Sequence, residues 1–141
     1  MSTSMTNAIE LTPAEAFAAI ALTAVAADGV ITDSESQIIK STLARMDLFN
    51  DYSSETKTEM MQRLLEQIQS RGYDSLMQAA IAKLPENLKD TAFAVATDII
   101  LSDGDLADEE EELLNALYNA LDLSEELATK IIDVMLIKNK G

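Results

Sequence analysis

An all-α fold, a bundle of about seven helices, is what this 141-residue sequence predicts. Three observations predict it. Apolar residues recur three and four positions apart in segment after segment, and no segment sustains the alternation of a half-buried strand. Cap signals stand before those segments: Thr12-Pro13-Ala14-Glu15 and Thr32-Asp33-Ser34-Glu35 each set a hydroxyl three residues ahead of a glutamate, so that each side chain can accept the other residue's backbone N–H. Finally, the chain matches itself without gaps when slid by 75 residues, Ala18–Leu48 falling on Phe93–Leu123.

The first helix opens at Thr12, with Pro13 where a helix tolerates it, and runs to Ala27 through an alanine-rich stretch that lets neighbours approach closely. The second opens at Thr32 and carries a stripe of Ile38, Ile39, Leu43 and Met46. The third follows Ser53-Ser54, shows Met60, Met61, Leu64, Leu65 and Ile68 at helical spacing, and stops at Gly72. The fourth runs from about Asp74 to Leu84, and Pro85 marks the break before a fifth that reaches Leu101 through Phe93, Ala96 and Ile100. The sixth begins near Asp108 with Leu113, Leu114, Leu117, Tyr118 and Leu121. Ser124 caps the seventh, whose Leu127, Ala128, Ile131, Ile132 and Met135 share a face, with Lys138 and Lys140 at its carbonyl-rich end. Every stripe is expected to face one core, the methionines serving as adaptable filler. The expected organisation is a single domain over 12–136, with 1–11 and 137–141 as flexible ends.

Composition excludes several chemistries. With no Cys and no His, the chain has no thiolate nucleophile, no redox dithiol, no thiolate or imidazole zinc site and no imidazole base. Ten basic residues against 25 acidic give a formal net charge of −15, which repels nucleic acid and anionic lipid and attracts cations and basic protein surfaces. Met1–Glu10 lacks the basic and apolar regions of a signal peptide, and the longest apolar stretch, Phe17–Ala27 broken by Thr23, is too short to span a bilayer. A cytoplasmic protein that neither binds nucleic acid nor inserts into a membrane is expected.

The repeated element is a small-residue helix followed by Asp-Gly, an aliphatic two residues on, and a glutamate four beyond that. It occurs as Asp28-Gly29-Val30-Ile31-Thr32-Asp33-Ser34-Glu35 and as Asp103-Gly104-Asp105-Leu106-Ala107-Asp108-Glu109-Glu110. Packing explains most of it: Gly ends the helix, the aliphatic plugs the turn and Glu caps the next helix. An Asp in the last turn of a helix, however, sits beside the negative end of the macrodipole, an unfavourable place occupied twice here. A bound cation would reverse that sign, and a turn N–H donated to the Asp would satisfy it without one. The motif is not a calcium-binding EF-hand loop, because the first and third ligand positions fall on Ile99 and Leu101 in one copy and on Ala24 and Ala26 in the other. Any cation must therefore be held by carboxylates from both repeats, and an all-oxygen set suits Ca²⁺, Mg²⁺ or Mn²⁺. The run Asp103–Glu112, with seven carboxylates in ten residues, reads chiefly as a solvated helix start, and Asp98 as part of a solvated stripe.

The two motifs, AADGVITDSE and SDGDLADEE, resemble the signature of the TerB tellurite-resistance family. The resemblance covers the two repeats and extends over about Thr12 to Leu136; the second copy departs from the first in having Ala107 where the first has its Thr32 cap. It implies a duplicated helical fold and a non-enzymatic role in tellurite resistance and stress response. It also implies metal binding through acidic residues, here Asp28, Glu35, Asp103 and Glu110, and docking on a protein partner, including a TerC-like membrane protein. Two other classes stand beside it: a metal-free acidic adaptor using Glu109–Glu112, and a carboxylate metallohydrolase, which lacks any accompanying nucleophile, phosphate clamp or glycine-rich loop.

Overall fold

Helix α1 (Pro13–Thr23) sits at the centre because it is apolar on nearly every side: nine of its eleven residues are buried, from Ala14 to Thr23 with only Glu15 and the leading Pro13 excepted. The computed structural model describes residues 10–25, 31–101 and 108–140, with the backbone alone for Glu109. Around α1 pack α3 (Ser54–Arg71), α4 (Tyr73–Lys83) and α5 (Lys89–Ile100). α5 in turn carries α6 (Asp108–Leu121) and α7 (Glu125–Lys138), while α2 (Asp33–Ala44) lies against α1 and α5. The described residues form seven α-helices, two short 3₁₀ turns (Asp47–Phe49 and Glu86–Leu88) and no strand, and no helix among them is long and apolar enough to cross a membrane.

The caps form as the residues dictate. Thr12 Oγ1 accepts the Glu15 N–H at 3.1 Å while Glu15 Oε1 accepts the Thr12 N–H at 2.9 Å, and Thr32 and Glu35 reproduce the pair at 3.1 and 3.0 Å. Ser53 and Ser124 each accept one N–H, from Thr56 and Leu127. Glu15 is used twice, since its other oxygen takes Arg63 Nη1 at 2.9 Å and ties the start of α1 to α3. Gly72 joins α3 to α4 at φ 85°, ψ 154°, a conformation essentially confined to glycine, and donates its N–H back to Ile68 O at 2.8 Å.

The core is the sum of the stripes: Phe17, Ile20 and Leu22 of α1, Met60 and Leu64 of α3, Leu76 and Ala80 of α4, Phe93 and Ile100 of α5, and Leu114, Leu117 and Leu121 of α6. Two expectations need correction. Ile38, assigned to the buried stripe of α2, is 38% exposed, so α2 is anchored by Ile39 and Leu43 alone, both fully buried. The seventh helix does not spend its apolar residues only on the core either: Val134, Leu136 and Ile137 are exposed around its last turn, where an all-round apolar sequence leaves some side chains no neighbour to face. That helix also continues two residues past Leu136. Lys138 Nζ and Asn139 Nδ2 both donate to Asp98 Oδ1, at 3.1 and 2.9 Å, and pin its end to α5. Asp98 is accordingly half-buried and bonded rather than lying on a free solvated stripe.

Candidate functional site

A cavity of about 740 Å³ opens where the two copies of the repeat meet. The end of α1 supplies Thr23, Ala24 and Val25, and the end of α5 supplies Ile99 and Ile100. The starts of the following helices supply Thr32, Ser34, Glu35 and Ile38 on one side and Glu110, Glu112 and Leu113 on the other, with Tyr73 of α4 closing the wall. Each lining set thus comes from residues immediately before or after an Asp-Gly segment. The volume lies within the ordinary range for small-ligand pockets.

Of the four carboxylates expected to act together, Glu35 and Glu110 are brought to this one cavity, both half-buried. Asp28 and Asp103, together with Gly29 and Gly104, lie outside the described residues. Glu35 holds a structural duty as well, its Oε1 accepting the Thr32 N–H at the start of α2. That leaves the carboxylate's second oxygen as the one a cation could use without breaking the cap. Glu110 also takes part in an interaction of its own. No group of three or more carboxylates close enough to hold a metal ion occurs among the described residues, so the described part of the site contributes two ligands of the right chemistry and no complete shell. Oxygen donors from Glu35 and Glu110 fit Ca²⁺, Mg²⁺ or Mn²⁺ in kind.

No family model, curated protein or solved structure matches the chain.

Three further features of the site did not stand out in the sequence. Tyr73 reaches the wall from α4, whose contribution no repeat signals. Glu112 belonged to a charge run with nothing to separate it from its neighbours, yet it lines the cavity. Thr23, fully buried at the end of α1, donates its hydroxyl to Ile20 O at 2.8 Å, and Thr97 of α5 does the same to Phe93 O at 2.7 Å. Such back-bonding satisfies the hydroxyl inside the helix and needs no ligand. A second groove of about 340 Å³ lies further along α2, lined by Ser41, Thr42 and Arg45 together with Asp98, Lys138 and Asn139. Ile38 and Ile99 border both concavities.

Proposed function

We propose that this chain is a non-enzymatic, TerB-like protein of the tellurite-resistance and stress-response type, a duplicated helical module that binds a divalent cation through its acidic residues and docks on a protein partner. The observation that carries the reading is the placement of Glu35 and Glu110, equivalent positions of the sequence repeat, in the lining of one cavity. The sequence resemblance supplies the class of activity. Asp28 and Asp103, which the repeat sets between the lining residues of the two helices in sequence, would supply the other two carboxylates. The partner is a protein with a basic surface, which a net charge of −15 would attract, and the resemblance points to a TerC-like membrane protein.

A metal-free acidic adaptor is the second reading, favoured by the engagement of Glu35 in its cap. Isothermal titration of purified protein with Ca²⁺, Mg²⁺ and Mn²⁺ separates the two. The first reading expects saturable binding of at least one ion that is lost when Glu35→Gln and Glu110→Gln are combined. Glutamine keeps the capping geometry while removing the charge. Absence of binding by all three ions would leave the adaptor.

A further inference from the structure

The cavity between the repeats is much larger than an ion needs, and its wall is half apolar. A water molecule's share of liquid volume is about 30 Å³, against about 740 Å³ here. Ile99 and Ile100 form a floor that is almost fully buried, and Leu113 and Ile38 rise beside it. Glu35, Glu110 and Glu112 supply the only formal charges in the described lining, all negative, with no Lys or Arg among them. Such a lining favours a ligand with an apolar stem and a cationic head, the design of lysine and arginine side chains.

Resting on the partner-docking half of the proposed function, we propose that this cavity receives a lysine or arginine side chain of a protein partner, presented on a segment with apolar residues beside it. The stem would lie along Ile99 and Leu113 and the head would meet the carboxylates, where charge-assisted hydrogen bonds are strongest. A protein segment is a better occupant than a free amine because Ile38, 38% exposed, stands on the ridge between this cavity and the neighbouring groove. A peptide crossing that ridge covers Ile38 with its apolar neighbour, whereas a polyamine has nothing apolar and branched to set there.

Methyl NMR on the full chain, in chelator, tests this with acetyl-Leu-Arg-Leu-amide as probe. Shifts are expected at Ile38, Ile99 and Leu113. Binding should weaken about tenfold or more when arginine is replaced by neutral citrulline or the leucines by glycine. The same loss is expected for Glu110→Gln with Glu112→Gln, and a smaller one for Ile38→Ser; none of the three side chains is fully buried, so these variants should fold. No shift at millimolar peptide, equal binding of the citrulline peptide, or equally tight binding of spermidine at the same methyls would overturn the proposal. The cation titration is run on the same protein preparations after the chelator has been removed. Peptide failure with an intact cation response sinks this proposal alone, and the reverse pattern sinks only the cation half of the proposed function.

Discussion

Helix α2 should detach from the protein without the rest unfolding. It buries Ile39 and Leu43 and no other residue, whereas α1 buries nine of eleven. Full burial of such side chains stabilises by about 1.5–3 kcal/mol each, so the two anchors hold α2 with about 3–6 kcal/mol before the cost of ordering its residues is subtracted. That lies at or below the usual global stability of about 5–15 kcal/mol. Two truncations distinguish local from global opening. Leu43→Ala removes one anchor and should lower the opening free energy of α2 by about 2–3 kcal/mol, which speeds its amide exchange by roughly 30-fold or more. Leu76→Ala, in the fully buried contact of α4 with α1, costs a similar or larger amount, but it weakens the closed and the α2-detached states equally. Native-state hydrogen exchange should therefore show Leu76→Ala accelerating the amides of α1 and α4 while leaving those of α2 nearly unchanged. If α2 exchanges with the same free energy as α1 in the unaltered protein, or follows Leu76→Ala, the helix is not a separable unit and the reasoning fails.

Other outcomes follow from single residues. Asp98→Ala should destabilise by about 1–2 kcal/mol and lower the melting temperature by a few degrees, with faster exchange over the last turn of α7; the Asn139 bond accounts for most of this, because the Lys138 ammonium is largely solvated. Gly72→Ala should cost about 1–3 kcal/mol although nothing stands within 4 Å of the added methyl group, since the strain is entirely in the backbone at φ 85°; an unchanged denaturant midpoint would contradict it. Thr32→Ala should cost about 1 kcal/mol through loss of the cap, and Glu35→Gln much less, as read by thermal denaturation of the two variants side by side.

Much of the fold was legible because helices announce themselves locally. The caps at Thr12, Thr32, Ser53 and Ser124 each depend on residues three positions apart, and all four form. What the pattern could not tell is how far a stripe extends into the core. Ile38 and Ile39 are neighbours on one stripe, yet α2 touches the bundle along an edge so narrow that one is buried and the other is not. The bonds of Asp98 are hidden from the sequence for a different reason: its partners, Lys138 and Asn139, lie 40 and 41 residues away, and no local rule connects them. The candidate site was half legible. The repeat singled out Glu35 and Glu110, but the cavity that unites them also takes a wall from Tyr73, which only the packing of α4 brings there.

Whether the repeat's carboxylates hold a cation together is the central question for this protein. Thermal denaturation of the full chain with and without Ca²⁺, Mg²⁺ or Mn²⁺ measures this directly. At a concentration 100 times the dissociation constant, a cation that binds only the folded protein stabilises it by about 2.7 kcal/mol, or several degrees in melting temperature for a domain of this size. The account predicts such a rise with at least one of the three ions and its loss in the Asp28→Asn, Asp103→Asn double variant. Identical melting curves with and without every ion, or a rise that survives the double variant, would contradict it.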